Sequence, residues 1–464
     1  MSLPFLSPAF CAANGIIVLS AEGRTVTFGM LKTDDSVLIT RIKKTFADYQ
    51  CEFQTLQADV YNLKLSRLFS DDTTDGDASG ADVNANGVSE SRDSRKSIID
   101  KIAGDAPAVN LLNSIFLEAI SFKASDIHIE SASRDTSVRY RIDGMLAGAA
   151  NISQERAMAI SARLKILANL NVLENRKPQD GHIEVVTDIY SLDVRISFVP
   201  TIWGESIVLR LLNKSDSPFT LDSLGFSERH KNYLKNILFI PSGLILITGP
   251  TGSGKTTTLA AILKELNTRK TKIISIEDPV EYRIEGITQI QVNDELGLTF
   301  DTLLRRIFRQ DPDIIMIGEI RDVQTAELAV RAALTGHLVF ATLHTNSAIE
   351  AVHRLQNMGI PSYMVAAVLR LTAAQRLIRK QCPYCKSSGC SGCNCTGYKG
   401  RTVIAEFIPI TPELSDLISG RADMEKFRLY IKNKNCATLY DDALEKITSG
   451  ITTEQEVIRE LGAP

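Results

Sequence analysis

A glycine-rich stretch near the middle of the chain has the residue types and spacing needed to hold a phosphate. Residues 249–256 read Gly-Pro-Thr-Gly-Ser-Gly-Lys-Thr, the G-x-x-x-x-G-K-T pattern of a P-loop. The glycines allow tight turns that direct backbone N–H groups toward phosphate oxygens. Lys255 would reach the β- and γ-phosphates, and the Thr256 hydroxyl would bind Mg²⁺. The stretch predicts a nucleoside triphosphate site, with ATP as the expected ligand, formed by Gly249, Pro250, Thr251, Gly252, Ser253, Gly254, Lys255, Thr256 and Thr257.

The residues around this P-loop argue against a glycine turn that merely joins two elements. The apolar run 244–247 is typical of a strand buried on both faces, and residues 259–263 are compatible with a helix. The start of that helix would bring the positive end of its dipole to the phosphates. A dinucleotide-binding fold is disfavoured because the glycines are spaced G-x-x-G-x-G rather than G-x-G-x-x-G.

Two acidic segments are candidates for directing the water that attacks ATP. Four apolar residues after Asp313 predict a central strand, and Glu319 follows at its carboxyl end, where ligands bind in open α/β sheets. Gly318 stands where an aspartate is usual, so Glu319 would hold the Mg²⁺ water, the attacking water or both. The alternative is a solvated residue at a strand end. Residues 277–281, Glu-Asp-Pro-Val-Glu, follow another predicted strand and would present carboxylates at the same edge.

Two histidines, His337 and His344, stand at either end of the predicted strand 338–343. They could act as phosphate sensors or hydrogen-bond relays. From the pattern alone, structural histidines are the favoured interpretation.

A cluster of cysteines predicts a metal site. Two C-x₂-C pairs, Cys382 with Cys385 and Cys390 with Cys393, are separated by four residues. Four thiolates at this spacing suit tetrahedral Zn²⁺, whose binding supplies roughly 10–16 kcal/mol of folding free energy in small motifs. Cys395 is a fifth candidate, so the ligand set stays open, and reduced thiols without a metal are the alternative.

The composition is that of an ordinary soluble globular protein, and ATP as the expected ligand predicts the cytosol as its compartment. At 464 residues the chain is too long for one core, so two to four domains are expected. Its residues are 44% hydrophobic and 23% charged, with a net charge of −3. The charge balance lacks the basic excess of a nucleic-acid-binding domain. Apolar stretches end well before 18 residues, and Met1-Ser-Leu-Pro-Phe lacks the basic and apolar regions of a secretory signal. Cytosolic cysteines are reduced, which favours metal over disulfides.

The elements that must position these residues fall into four predicted segments. Residues 1–69 form a small module, 70–97 an acidic flexible linker, 98–215 a mixed α/β domain, and 216–464 the ATPase core with a cysteine knuckle at 382–395. In the module, strands 15–19 and 25–29 precede helices 37–46 and 58–69. In the second domain, helices 106–122 and 153–173 accompany strands 126–130, 137–143, 181–186, 192–198 and 205–212. In the core, strands 244–248, 272–276, 313–317 and 338–343 alternate with helices, and the tail 401–464 is helical.

The ordered motifs resemble those of the type II secretion and type IV pilus assembly ATPases. The resemblance covers most of the chain and lies at residues 124–130, 139–144, 178–181, 249–256, 276–281, 309–313, 318–322, 335–339, 342–345 and 397–401. It implies an α/β fold with a RecA-like P-loop ATPase core, a preceding α/β (PAS-like) domain, a small N-terminal α/β module and a short tetracysteine insertion.

The resemblance also implies roles for individual residues. Arg195 and Arg210 match the positions whose guanidinium groups reach the bound phosphates, and arginine suits a transition state that gains charge. Glu281 and Glu319 become the water-orienting and Walker B carboxylates. His337 and His344 become active-site residues.

Three positions differ from the family pattern. Ser206 replaces a common arginine, His182 stands where an arginine is common, and the cysteine loop is shorter than is typical. None of these changes removes a residue that hydrolysis requires.

By resemblance, the chain is a homohexamer at the cytoplasmic face of the inner membrane. Its expected partners are an inner-membrane platform protein and the cytoplasmic domain of a membrane anchor protein, with no nucleic acid. The expected function is ATP hydrolysis that powers pseudopilus assembly and type II secretion, with type IV pilus assembly as the alternative. A DNA-translocating motor is disfavoured by the acidic balance, and a non-hydrolysing scaffold by the intact Lys255, Glu319 and Arg210.

Overall fold

The computed structural model describes residues 6, 11, 15–22, 25–31, 39–40, 42–43, 46, 49–56, 61, 106–186, 191–213, 220–268 and 270–463. The chain divides into two compact units, Met1–Asn213 and Lys214–Pro464. The predicted boundaries at residues 69, 97 and 215 stay predictions. The predicted linker 70–97 and most of the two predicted N-terminal helices lie outside the described residues. Every helix in the described residues is too short or too polar to span a bilayer.

A small sheet opens the first unit and confirms the predicted N-terminal strand pair. Strands β1 (Ile16–Glu22) and β2 (Thr25–Met30) are antiparallel, and β3 (Gln50–Thr55) runs parallel to β2. The buried Phe28 ring lies 5.4 Å from the Phe46 ring and 5.3 Å from the Phe53 ring. These aromatic contacts form the centre of the module's core.

In the described residues, the rest of the first unit is an antiparallel sheet with two helices. Its elements are α1 (Ala106–Ser121), β4 (Asp126–Ser131), β5 (Asp135–Ile142), β6 (Met145–Ser153), α2 (Gln154–Leu167), β7 (Gln179–Val186), β8 (Ser191–Thr201) and β9 (Gly204–Asn213). The strand order in this sheet is β6-β5-β4-β9-β8-β7. The five predicted strands are confirmed as β4, β5, β7, β8 and β9, whereas β6 was not predicted. Alternate residues such as Val194 and Ile196 are buried on one face of the sheet.

One predicted helix of this domain is shorter than expected. The pattern predicts a helix from Ser153 to Leu173, whereas α2 begins after the cap residue Ser153 and ends at Leu167. Asn169 takes a positive φ of 56°, a left-handed conformation that a helix cannot continue through. The apolar residues beyond it therefore belong to a connecting segment.

The second unit is built on a largely parallel sheet. In the described residues its strand order is β12-β11-β13-β14-β10-β15-β16, and all pairs but β15 with β16 are parallel. The strands are β10 (Gly243–Thr248), β11 (Ile273–Glu277), β12 (Thr288–Gln291), β13 (Ile314–Ile317), β14 (Leu338–Leu343), β15 (Leu369–Gln381) and β16 (Tyr398–Pro409). The four predicted core strands are confirmed, and every residue of β10 is buried.

Helices cover both faces of this sheet. In the described residues, the helices are α3 (Glu228–Ile237), α4 (Lys255–Leu266), α5 (Phe300–Ile307), α6 (Val323–Leu334), α7 (Ala348–Asn357), α8 (Ser362–Val368), α9 (Pro412–Ser419), α10 (Met424–Asn433), α11 (Leu439–Thr448) and α12 (Glu454–Leu461). Leu244 and Leu246 pack into a core with α5, α6 and α7, whereas Ile245 and Ile247 pack into a core with α3 and α4. A continuously apolar strand is required because both of its faces are covered.

The prediction of an all-helical tail over 401–464 is wrong for its first part. Residues 401–409 belong to β16, which pairs antiparallel with β15, with Ile404 opposite Arg376. Val403, Ile404 and Ala405 are all buried, and such a short apolar run does not distinguish a strand from a helix. The pairing partner lies beyond the cysteine segment, out of reach of a local pattern. The helices after residue 411 agree with the prediction.

A buried glutamate fastens the last helix to this strand pair. Glu456 is fully buried and accepts hydrogen bonds from Arg379 and Arg459, with its Oε2 at 2.9 Å from each Nε. The backbone N–H of Arg379 donates to it as well, at 3.0 Å. Burial alone raises the pKa of Glu456, but these hydrogen bonds outweigh burial and lower the pKa to about 2.

Replacing Glu456 with Gln is expected to reduce the free energy of unfolding by roughly 2–4 kcal/mol at pH 7. Because the folded-state pKa is depressed, this stabilisation is present above the ordinary value of 4.5 and is lost as the pH falls toward 2. The difference between the wild type and Glu456→Gln should therefore shrink in acid. Urea unfolding with hydrogen exchange of β15 amides measures it. Glu454→Gln, an exposed position on the same helix, is the control, and an equal effect of both variants would contradict the prediction.

Candidate functional site

The backbone of the P-loop can form only with glycine at its first position. Gly249 follows β10 with a φ of 150°, and a Cβ there would lie 2.5 Å from both the Gln375 carbonyl oxygen and Ser253 Oγ. Gly254 caps α4 with a φ of 87°, in the left-handed region. The strand, the loop and the helix therefore follow one another as the sequence predicts.

Lys255 begins α4, and its ammonium group lies over the loop. Its Nζ donates hydrogen bonds to the carbonyl oxygens of Gly249, at 2.8 Å, and Pro250, at 3.0 Å. Burial lowers the pKa of Lys255 to about 8, although the charges of Glu319 and Glu281 raise it. Both predicted carboxylates therefore lie within electrostatic reach of the P-loop lysine.

The loop has the features of a phosphate site. In the part of the chain that the structure describes, the buried Ser253 Oγ makes no hydrogen bond. The Gln375 amide donates to the Ser253 carbonyl at 2.8 Å and holds the loop from below. An unpaired buried hydroxyl beside a lysine and a helix N-terminus fits a phosphate oxygen. Thr256 lies in the first turn of α4, directly after Lys255.

Glu319 lies at the carboxyl edge of the sheet, as predicted. It follows β13 through Gly318, whose N–H donates to the Ile276 carbonyl at 2.7 Å. A Cβ at residue 318 would lie 3.1 Å from that carbonyl oxygen and 3.3 Å from the Glu277 Cα. The close approach of β11 thus explains why glycine stands where an aspartate precedes the glutamate in other P-loop proteins.

His344 lies beside Glu319, with its Nε2 3.4 Å from Glu319 Oε2. Burial and the charge of Lys255 lower the pKa of His344, against the carboxylate of Glu319, which raises it. Thr248, at the end of β10, binds the loop that contains His344, because its hydroxyl accepts a hydrogen bond from the Thr345 N–H at 2.8 Å. The ends of β10, β13 and β14 are thereby joined around the P-loop.

Arg321 is a charged neighbour of this cluster that the sequence did not single out. Its guanidinium group contacts the carboxylate of Glu319 and lies 3.2 Å from Asp278 Oδ2. The hydrogen bonds that Arg321 donates to Glu319 and Asp278 raise its pKa. The sequence could have indicated the contact of Arg321 with Glu319, because the two residues are close in the chain. The contact with Asp278 depends on the pairing of β11 with β13 and could not be read from the sequence.

Glu281 lies on the loop that follows β11 and is exposed, whereas Glu277 at the end of that strand is buried. Burial raises the pKa of Glu277 despite hydrogen bonds from Ser275 and Gln289. The acidic segment thus divides into a buried anchor and an exposed carboxylate.

His337 lies away from the P-loop of its own chain, and its predicted role as an active-site residue stays a prediction. It precedes β14, and its carbonyl accepts the Gly243 N–H at the amino end of β10. Its ring contacts the Ala332 carbonyl and the Thr335 hydroxyl. The six-residue strand separates it from the other end of the sheet by roughly 20 Å. The sequence interval of seven residues could not reveal that the two histidines lie at opposite edges.

Arg195 and Arg210 lie together in the first unit. They face each other across β8 and β9, on the side of the sheet opposite the buried Val194 and Leu209. Arg210 remains 64% exposed although its Nε lies 3.1 Å from Asp126 Oδ1. The two arginines are cross-strand neighbours on one face of the sheet, and Arg210 is paired there with the carboxylate of Asp126. Their predicted role at the nucleotide stays a prediction.

The cysteine segment gathers four thiols. Sulfur–sulfur distances are 3.8 Å for Cys382 with Cys390, 3.6 Å for Cys385 with Cys393 and 3.7 Å for Cys390 with Cys393. A tetrahedron with metal–sulfur bonds of about 2.3 Å has edges of about 3.8 Å, so the four thiols fit Zn²⁺. Cys395 is exposed and does not belong to this group.

Backbone amides favour a thiolate in this cluster. The N–H groups of Cys390 and Gly397 donate to Cys393 Sγ at 3.3 and 3.2 Å. Burial raises the pKa of Cys393, but these hydrogen bonds outweigh it and lower the pKa. A thiolate is the form that binds a metal.

Comparison with known proteins finds relatives among secretion system proteins. Residues 101–459 match the family described as "Type II/IV secretion system protein". The chain is 36% identical to type II secretion system protein E of Dickeya dadantii, over 98% of this chain and 97% of that protein. It is 43% identical to the type IV pilus assembly ATPase PilB of Myxococcus xanthus, over 77% and 68% of the two chains. The fold resembles that of the Legionella pneumophila ATPase DotB, with a TM-score of 0.60, 23% identity and coverage of 75% and 94%.

Proposed function

The chain belongs to the type II/IV secretion system protein family, and from this membership we propose that it is the ATPase that powers protein export by a type II secretion system. The observation that carries the proposal is the grouping of Lys255, Glu319 and His344 at one edge of the sheet. Similarity to a type II secretion system protein E over nearly the whole of both chains supports secretion as the purpose of hydrolysis.

The site residues divide the reaction among themselves. Lys255 and the P-loop amides bind the β- and γ-phosphates, and Lys255 neutralises charge there. Glu319 or Glu281 accepts a hydrogen bond from the attacking water and orients it toward the γ-phosphorus. Mg²⁺, when bound, would neutralise phosphate charge, with Thr256 and Glu319 as the residues that hold it. His344 is held next to Glu319, where it can donate a hydrogen bond to the carboxylate or to the phosphate.

We further propose that hydrolysis takes place in a hexamer. Arg195 and Arg210 would then reach the nucleotide of a neighbouring subunit and stabilise the charge of the transition state. Membrane partners would be a platform protein and the cytoplasmic domain of an anchor protein, with the chain held peripherally on the cytoplasmic face of the inner membrane. No nucleic acid enters this scheme.

The proposal of secretion can be tested by complementation. In the source bacterium lacking this chain, Lys255→Ala is expected to leave export at background, because the variant cannot hold the phosphates. The amount of exported protein in the medium is the measurement. Lys264→Ala, an exposed position on the same helix, should restore normal export. Normal export with Lys255→Ala would overturn the proposal.

Type IV pilus assembly is the second candidate, and the 43% identity to a pilus assembly ATPase favours it. The same complementation experiment separates the two functions. Loss of surface pili with export unchanged would identify the pilus assembly function instead.

The four clustered thiols would hold a structural Zn²⁺. Purified protein is expected to contain about one Zn²⁺ per chain, and Cys393→Ser is expected to lose it. Proteolysis should then cut within residues 382–397 more readily, because metal binding supplies much of the folding free energy of so small a loop. Elemental analysis and limited proteolysis measure both effects. Cys395→Ser is the control and should keep its metal, and loss of metal from this variant would contradict the assignment of ligands.

A further inference from the structure

One side chain holds the loop that carries Glu281. The amide of Gln289, on β12, makes three hydrogen bonds across the base of this loop. Its Nε2 donates to the Tyr282 carbonyl and to Glu277 Oε1, both at 2.9 Å. Its Oε1 accepts the Ile284 N–H at 2.7 Å. The backbone directly after Glu281 is thus bound to the neighbouring strand.

The other end of this brace is a rigid part of the sheet. Glu277 is the last residue of β11, is only 4% exposed and accepts a hydrogen bond from the Ser275 hydroxyl at 2.6 Å. Its strand pairs with β12 on one side and β13 on the other. Since β13 leads to Glu319, the strand that ends at Glu277 is paired directly with the strand that positions Glu319.

The loop is also held on the side before Glu281. The Val280 N–H donates to Gln291 Oε1 at 3.3 Å, and the Tyr282 hydroxyl lies 3.3 Å from Thr257 Oγ1 in the P-loop helix. Contacts on both sides of Glu281 restrict the backbone, while the Glu281 side chain itself is exposed. Its charge raises the pKa of Lys255, which agrees with this placement.

We propose that Gln289 is a positioning residue for ATP hydrolysis, whose amide holds the Glu281 loop against Glu277 so that the Glu281 carboxylate faces the phosphate site. The inference rests on the function proposed above for Glu281. Gln289 does not touch the nucleotide in this scheme, so it acts on the chemical step and leaves binding intact. A displacement of about 1 Å in a catalytic group can reduce the rate by about 10²-fold.

The first test uses Gln289→Leu, which keeps the size of the side chain and removes its hydrogen bonds. We expect a fall in kcat of about 10–100-fold, with the Kd for a fluorescent ATP analogue within threefold of the wild type. Thr288→Ala, an exposed neighbour on the same strand, should keep both values. A wild-type kcat in Gln289→Leu, or a proportional loss of binding and kcat, would overturn the proposal.

A double variant tests whether Gln289 acts through Glu281. If it does, Gln289→Leu should reduce kcat by less than threefold further when Glu281→Gln is already present. A full additional loss would overturn the positioning role but leave the proposed role of Glu281 intact. A wild-type kcat in Glu281→Gln alone would overturn both.

A reciprocal exchange covers the case in which Gln289→Leu fails to fold. Gln289→Glu places two carboxylates together and should lower kcat about tenfold or more. Combining it with Glu277→Gln restores one amide–carboxylate pair between residues 277 and 289. Residue 289 still accepts the Ile284 N–H in this variant, and only the Tyr282 carbonyl loses its donor. We expect the combined variant to exceed Gln289→Glu in kcat at least threefold. Equal or lower activity of the combined variant would contradict the brace.

Discussion

Glu319→Gln is expected to lower kcat for ATP hydrolysis by about 10³-fold while the Kd for ATP changes only a few-fold. The amide keeps the size of the side chain but removes the charge and the ability to accept a proton. Glu319 lies 3.4 Å from His344 and contacts Arg321, so the replacement changes electrostatics at the centre of the cluster. Phosphate release at saturating ATP gives kcat, and a fluorescent nucleotide gives Kd.

The control for this experiment is Glu327→Gln. Glu327 lies on α6, is 48% exposed and pairs with Arg331 at the surface, and surface pairs of this kind contribute about 0–1 kcal/mol. Its kcat should equal that of the wild type. A Glu319→Gln protein with wild-type kcat would refute the Walker B role, and loss of binding without loss of kcat would assign Glu319 to holding nucleotide and Mg²⁺.

Mixing two inactive proteins is expected to restore hydrolysis. The double variant Arg195→Ala with Arg210→Ala should lose about 10³-fold in kcat, and Lys255→Ala should lose hydrolysis altogether. In mixed hexamers formed from equal amounts, about a quarter of the neighbouring pairs combine an intact P-loop with intact arginines from the other subunit. Specific activity should then approach about a quarter of the wild-type value and should rise with protein concentration.

This result would place the arginines in a subunit other than the one whose P-loop they serve. If the arginines served the P-loop of their own chain, every site in the mixture would lack either its two arginines or Lys255. Activity would then stay at the level of the separate variants. Arg134→Ala, at an exposed turn of the same sheet, is the control and should hydrolyse ATP at the wild-type rate without mixing. Rates that are independent of concentration and mixing would contradict hydrolysis between subunits.

Some site features are local and follow from the order of residues. The P-loop requires only a buried strand, glycines at fixed intervals and a helix start, all within residues 243–266. The same holds for the four thiols, whose short spacing already brings two pairs of ligands together. The alternating strands and helices likewise predicted the parallel sheet and its strand ends, where Glu319 is found.

Other features depend on strand pairing, which connects residues far apart in the chain. Tertiary structure places His344 beside Glu319 and His337 at the opposite edge, because β14 runs parallel to β10 and its two ends are far apart. It turns residues 401–409 into a strand through pairing with β15. It also brings Arg321 to Asp278 and Gln289 to Glu277.

The local order of residues was therefore sufficient to predict the chemistry of the nucleotide loop, the metal-binding pattern and the alternation of elements, since each depends on neighbours within a few turns or strands. Strand pairing was needed to show which side chains share an edge of the sheet and that Gln289 braces the Glu281 loop. Hydrogen bonds between strands fix both the register and the direction of each chain segment, and neither is encoded in local spacing.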